Sequence, residues 1–257
     1  LTKDYIAIIG AGKLAYSLTP ALIKSGFKVE IVISKNPVSA KTLAKKYSIS
    51  HFSDSVNKIP KYVNVFFITA PDGEIKKVAD KISKLKRKFE NCICVHFSGL
   101  ENIHSLNPLK KRGCAIGSIH IIQPFPSKNV VEIKNSPAAI EADDKLSLKF
   151  LYQLAKKLKL KSHQINSEEK VMHHLAAVHS SNFLVGNLYN AFSLISSKNN
   201  FAKDSLKQTT QSALNNVYKL SPSKALSGPV DRGDLYTIKK HFEALDNKIK
   251  KSGGIKT

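Results

Sequence analysis

The chain has 257 residues, of which 42% are hydrophobic and 23% charged, with a formal net charge of +22. That length supports one large core or two moderate ones, and no apolar stretch reaches the length of a membrane span. No signal-peptide pattern precedes the first apolar run, and three cysteines make no disulfide framework, so a reducing cytoplasm is expected. The lysines are spread along helix-like segments, and arginine occurs only at Arg87, Arg112 and Arg232, which leaves few bidentate readers of bases. Nucleic acid is therefore not the expected partner. The charge reads as a solvated surface that attracts anionic cofactors and small anionic substrates.

The first apolar run, Tyr5–Ile9, ends in Gly10-Ala11-Gly12 and gives way to a helical pattern through Leu18, Leu22 and Ile23. In that position Gly10 makes a tight turn, Gly12 lets the backbone approach a pyrophosphate, and Ala15 allows helix and strand to pack closely. Gly10, Ala11, Gly12, Lys13 and Leu14 are the expected cofactor contacts, with the helix N-terminus offering free N–H groups to an anion. Further strands are predicted at 28–33, 63–69, 92–97 and 116–119, with helices at 13–25, 37–47 and 73–86. Runs as continuously apolar as Val63–Ile68 suit parallel strands covered on both faces. Cys92 and Cys94 fall on one face of such a strand, where burial is expected rather than metal binding. A strand at 137–141, a helix at 144–159 and a strand at 162–165 extend the same doubly wound α/β sheet.

Three strand ends carry candidate cofactor contacts. Ile33 is followed by Ser34-Lys35-Asn36, without the carboxylate that would accept hydrogen bonds from an NAD ribose. Glu30 lies too early in the strand. Ser34 can donate to a 2′-phosphate and Lys35 can neutralise it, so NADP is favoured and NAD remains open. Thr69, Ala70 and Pro71 are expected to pack against ribose or nicotinamide, while Asp72 caps the next helix. Ser98 reads either as a contact to the nicotinamide ribose or substrate, or as part of a turn with Gly99.

Candidate catalytic groups follow. His120 stands where the 116–119 strand is expected to become irregular, and imidazole suits proton transfer near neutrality. His96, inside an apolar run, is expected to be structural. His174 and Asn182 fall on one broad helical face and could orient and protonate a carbonyl or imine. His173, His174 and His179 lack an acidic partner at ligand spacing, so no metal is expected. Arg232, in Leu226-Ser-Gly-Pro-Val-Asp-Arg-Gly-Asp234, could clamp a substrate carboxylate or pair with Asp231 and Asp234. Asp234 could equally cap the last helix. After Asn166 the pattern is helical at 168–197, 203–218 and 235–250. The expected domains are an α/β domain, 1–165, and a helical one, 166–257, too small to bury all of its apolar surface alone, so a homodimer is expected.

Six motifs in order carry a resemblance: Gly10-Ala-Gly-Lys-Leu-Ala15, Ala70-Pro-Asp72, His96-Phe-Ser-Gly99, Gly117-Ser-Ile-His-Ile-Ile-Gln-Pro-Phe125, His174-Leu-Ala-Ala-Val-His-Ser-Ser-Asn182 and Leu226–Asp234. Together they resemble the Rossmann-like family with a DUF2520 carboxyl-terminal domain, similar at a distance to pyrroline-5-carboxylate and ketopantoate reductases. The resemblance implies a Rossmann domain, a helical 6-phosphogluconate-dehydrogenase-like domain and a dimer. It places site roles on Gly10, Gly12, Ser98, His120, His174 and Asn182. His173 and Ile121 depart from the family's usual tyrosine and proline at those points. The implied activity is hydride transfer between NADP(H) and a small carbonyl or imine. The alternative is a cofactor-binding regulatory or scaffold protein without turnover.

Overall fold

A computed structural model describes residues 4–195 and 200–251. Strands β1 (Tyr5–Ile9), β2 (Lys28–Ile33), β3 (His51–Ser53), β4 (Val65–Ile68), β5 (Ile93–His96), β6 (Ala115–Ile121), β7 (Pro137–Ala142) and β8 (Lys161–Gln164) form one sheet. Its order is β3-β2-β1-β4-β5-β6-β7-β8. Pairing is parallel everywhere except between β6 and β7. The chain steps outward from β1 to β3 and then returns to lay β4 on the other side of β1. Such a reversal opens a crevice at the strands' carboxyl ends, between β1 and β4.

Alternation along the strands divides the core between the two faces of the sheet. Ile6, Ile8, Val65 and Phe67 pack with Leu18 and Leu22 of α1 (Lys13–Lys24), Leu43 of α2 (Pro37–Lys46) and Leu151 and Leu154 of α5 (Lys145–Lys157). Ala7, Ile9, Phe66 and Ile68 pack with Ile75, Ala79 and Ile82 of α3 (Ile75–Ser83) and Leu109 of α4 (Asn107–Lys110). The cysteines are free and buried, Cys92 and Cys94 both in this second cluster. Helix α5 (Lys145–Lys157) starts at Asp144, which accepts a hydrogen bond from the Ser147 N–H, as Asn36 does from Ser39 at the start of α2. Pro20, inside α1, cannot bond the carbonyl four residues back, and Tyr47 Oη donates to that Tyr16 oxygen at 3.3 Å instead.

Local differences from the sequence expectation have physical causes. Strand β3 carries no apolar run and is drawn into the sheet by pairing with β2. Strand β6 runs on to Ile121 because β7 pairs with it, so His120 lies within a strand, opposite Ala139, and not in an irregular segment. Pro71 precedes a tight turn, Asp72–Glu74, and the N-cap positions of that turn and of α3 are Pro71 and Glu74, so Asp72 does not cap the helix. The long helix expected at 168–197 is two helices, α6 (Ser167–Val178) and α7 (Leu184–Leu194), around a π-turn at His179–Phe183. Residues 196–197 of that expectation lie outside the described residues. Ser180 and Ser181 both donate to Ala177 O, at 3.2 and 2.6 Å, which competes with the backbone ladder and widens the turn.

The chain divides into two compact units, Leu1–Phe183 and Leu184–Thr257. Helix α6 therefore belongs physically with the sheet, although the change to helical character begins at 166. Its start carries a capping box between Asn166 and Glu169. The second unit holds α7, α8 (Asn200–Leu220), α9 (Pro222–Ala225) and α10 (Leu235–Lys251). Asp234 caps α10 by accepting hydrogen bonds from Thr237 N at 3.0 Å and Thr237 Oγ1 at 2.7 Å. Among the described residues, α7 and α8 bury no side chain, and Val185, Tyr189, Phe192, Phe201 and Tyr218 are exposed. No described helix is long and apolar enough to cross a membrane.

Candidate functional site

A cleft of about 840 Å³ opens at the β1–β4 crevice, lined by Gly10, Ala11, Gly12, Ser34, Lys35, Thr69, Ala70 and Pro71 among others. Gly10 has φ +120°, and a Cβ there would stand 2.6 Å from the Thr69 carbonyl carbon. Only glycine fits this crossing. Thr69 Oγ1 reinforces it by donating to Gly10 O at 2.7 Å. At Gly12 a Cβ would have no neighbour closer than 3.9 Å, and as the N-cap of α1 this residue offers no side-chain cap. Open space at Gly12 and uncapped N–H groups fit the pyrophosphate of a dinucleotide. Lys13 is exposed in the first turn of α1, and Leu14 packs against the core below; neither lines the cleft.

At the β2 end, Lys35 Nζ is ion-paired to Glu74, which also meets Lys77 at 3.1 Å. Hydrogen bonds from Lys35 and then Lys77 hold the Glu74 carboxyl below its usual range. Ser34 Oγ accepts from Asn36 N at 3.3 Å. Sequence reasoning missed Lys81, Lys84 and Lys128, which also line the cleft. Lys128 arrives from the 122–136 loop and donates to Ser39 Oγ at 3.3 Å, in the first turn of α2. Its separation from Lys35 in the sequence left no local signal.

A second group of polar side chains gathers at the carboxyl ends of β5 and β6, in register with the end of β4: Ile68 pairs with His96, and His96 with Ser118. His120 and His174 stand edge to face with ring centroids 5.5 Å apart. Both converge on Gly99, where a Cβ would lie 2.5 Å from His174 Nδ1 and 2.7 Å from His120 Nε2. His120 Nδ1 is 3.4 Å from Phe97 O, a contact that a protonated Nδ1 donates, leaving Nε2 as the acceptor facing the pair. His174 Nδ1 is buried and has no hydrogen-bond partner among the described residues.

Ser98 serves the loop between these rings. Its Oγ accepts from Leu100 N at 3.0 Å and Glu101 N at 2.8 Å, so the side chain is committed to a turn. His96 is fully buried, with Nδ1 accepting from Ser98 N at 3.3 Å. The π-turn at His179–Phe183 begins between His174 and Asn182. Asn182 is exposed and accepts from Ser181 Oγ at 3.0 Å. Arg232 lies in the second unit, exposed and without an ion pair among the described residues; Asp234 is taken up by Thr237. Asn182 has no hydrogen bond to either ring of the histidine pair among the described residues.

Beneath the pair is a residue that no sequence pattern singles out. Lys170 is 1% exposed, and its Nζ donates to Glu101 O at 2.5 Å, Ser118 Oγ at 2.7 Å and Glu141 Oε2 at 3.0 Å. Ser167 Oγ holds the other Glu141 oxygen at 2.5 Å. A lysine in a chain rich in lysine carries no burial signal of its own.

Desolvation by burial pushes His120 down to about 4 and His96 to about 3. Both folded values lie below the unfolded value of about 6.5, so the unfolded chain binds more protons between those limits. Stability from these groups is present above pH ~6.5 and is lost as pH falls toward 4. Thermal melts are expected to show a lower Tm at pH 5 than at pH 7.5, and His96→Asn is expected to flatten that difference. A pH-independent Tm would contradict the burial of both rings.

Two family models match. One, NADP oxidoreductase coenzyme F420-dependent, covers residues 5–90, and the domain of unknown function DUF2520 covers residues 136–252. A search of curated proteins gives no match. A solved structure of a candidate NADP oxidoreductase from Bacteroides fragilis is 27% identical, over 95% of this chain and 92% of that one, with a TM-score of 0.82. In both matched segments the chain is similar to the Rossmann-like NAD(P)-binding oxidoreductases related to DUF2520. A protein from Thermotoga maritima is 25% identical over 97% of this chain and 92% of that one, at a TM-score of 0.65. A reductive aminase from Aspergillus terreus, solved with NADPH and ethyl levulinate, is 12% identical over 99% of this chain and 89% of that one, at a TM-score of 0.68. That last likeness concerns the fold alone.

Proposed function

We propose that this protein binds NADP(H) in the β1–β4 cleft and reduces a small, anionic carbonyl or imine beside the histidine pair. The observation that carries this reading is a juxtaposition within one compact unit. The glycine-lined crossing at Thr69 and the His120–His174 pair lie at the carboxyl ends of adjacent strands in the same sheet. Bound there, the cofactor supplies the hydride, and the product needs one proton at its oxygen or nitrogen.

The two histidines divide the remaining work. His120, held near 4, is neutral at physiological pH and serves as a hydrogen-bonding and orienting group. His174, half-buried with an unpartnered Nδ1, is the leading proton donor. Asn182 and Arg232 are retained as weaker substrate contacts. NADP is preferred to NAD because no carboxylate ends β2 and lysines line the cleft. We assign the cofactor domain to 1–165 and the helical substrate and dimerisation domain to 166–257, with α6 lending His174 to the sheet. The exposed apolar side chains of α7 and α8 support a homodimer, and the free thiols a cytoplasmic setting.

Titration with both reduced cofactors, followed by a screen of carbonyl and imine acids, tests the reading. NADPH is expected to bind about tenfold more tightly than NADH, with Lys35→Ala erasing most of the difference. Glu74→Gln, which releases Lys35, is expected to widen it. His174→Ala is expected to lower kcat about 100-fold or more while cofactor affinity holds. Equal affinity for NADH overturns the NADP preference. Cofactor binding without turnover across the screen overturns the reductase and favours the non-catalytic binding protein.

A further inference from the structure

Lys170 has no part in the chemistry so far, yet it is the most completely buried cation among the described residues and uses three acceptors from three different segments. Glu101 O belongs to the loop after β5, Ser118 to β6 and Glu141 to β7. A primary ammonium has three protons to donate, and all three are engaged. It therefore has none to give to a substrate without breaking this network, and its ion pair with Glu141 is closed off from solvent. Burying such a pair is costly unless every donor and acceptor is matched. Here Ser167 completes the match at the second Glu141 oxygen.

The network lies one helical turn from His174. Positions 170 and 174 are four apart on α6, so their side chains leave the same face of the helix. Pinning Nζ to the loop, β6 and β7 sets both the rotation and the height of α6 over the sheet. The same loop holds Gly99, and the same strand holds His120. Of the four segments that Lys170 ties together, α6, the loop after β5 and β6 are the three that bring His174, Gly99 and His120 into contact.

We propose that Lys170 is a positioning residue, which locks α6 to the loop after β5, to β6 and to β7 so that His174 meets His120 over Gly99. The inference rests on the reading of the two histidines as the working pair of the site. Its charge has a second consequence. His120 is faced by Lys170 and His174 from α6, by Asp72 from the turn after β4 and by His96 from β5. Burial is the first cause of its low value, and the Lys170 and His174 charges act in the same direction against the Asp72 carboxylate. Removing Lys170 frees the pair geometrically and lifts the His120 titration midpoint.

Nuclear magnetic resonance of the full chain tests this without any substrate. In the wild-type protein the Lys170 ammonium is expected as a slowly exchanging, fully bonded group, with a ring-proton contact between His120 and His174. Lys170→Met combined with Glu141→Gln, or with Glu141→Leu, removes the pair without leaving an unpaired buried charge. In either double variant the ring contact is expected to vanish and the His120 midpoint to rise, with NADPH affinity within twofold of wild type. A folded double variant that keeps the ring contact and the midpoint, losing only thermal stability, makes Lys170 a mere structural tie and overturns the proposal. If neither variant melts cooperatively, the wild-type spectrum decides: a rapidly exchanging Lys170 ammonium overturns it. Absence of turnover on every substrate would sink the reductase reading and leave these ring measurements standing.

Discussion

Gly99→Ala is expected to cut turnover about 100-fold while NADPH binds with wild-type affinity. A Cβ at this position would lie 2.5 Å from His174 Nδ1, 2.7 Å from His120 Nε2 and 2.8 Å from His120 Cε1. No carbon approaches a ring that closely, so one or both imidazoles must move. Both are side chains and can yield, which keeps the stability cost near the 1–3 kcal/mol typical of overpacking. The chemistry has less tolerance, since a displacement of about 1 Å in a reacting group is enough for a loss of that size. Steady-state kinetics together with a cofactor titration separate the two effects. Unchanged turnover in a folded Gly99→Ala protein would remove the histidine pair from the mechanism.

Gly10→Ala is expected to abolish cofactor binding and to destabilise the fold by roughly 2–6 kcal/mol, summing backbone strain and overpacking. The two causes are separate. At φ +120° an L side chain is strained whatever the space, and the new methyl would stand 2.6 Å from Thr69 C and O and 2.7 Å from Ala70 N. These are backbone atoms of the segment that continues β4 and cannot swing aside as a ring can. Restoring contact distance would push β4 away from β1 at the point where the cleft opens. Urea denaturation measures the first effect and calorimetry with NADPH the second. An alanine variant of near wild-type stability would mean that the crossing of the two strands is looser than the structure has it.

The contrast between these glycines shows what a sequence can and cannot carry. Gly10 was legible because an apolar strand, a Gly-x-Gly and a helical period stand in immediate succession, and each constrains the others. The parallel strands followed from unbroken apolar runs, and the change to helices after 166 from the loss of any period of two. Gly99 looked like an ordinary turn residue, because the rings that fill its missing side chain come from 21 and 75 positions further along the chain. Long-range crowding leaves no mark on neighbouring residues.

Lys170 was hidden for a related reason. Its partners Glu101, Ser118 and Glu141 lie on three separate segments, and only the folded sheet brings them to one point. The π-turn did have a local signal in Ser180-Ser181, whose hydroxyls can bond backward to the carbonyls of the preceding turn. A period of 3.6 carried unbroken through that pair reads as one helix over 168–197, where the structure has two. Strand β3 escaped notice because three residues with one aromatic side chain show no alternation.

A dinucleotide bound in the β1–β4 cleft is expected to deliver its nicotinamide to the histidine pair. A crystal structure of the full chain with NADP⁺ measures this directly. The pyrophosphate is expected against Gly10–Gly12 and the first turn of α1, with nicotinamide C4 in open space within about 4–5 Å of His174, close enough for a small carbonyl to touch both. A nicotinamide ring directed away from His120 and His174, or packed against apolar side chains with no room beside C4, would contradict the account.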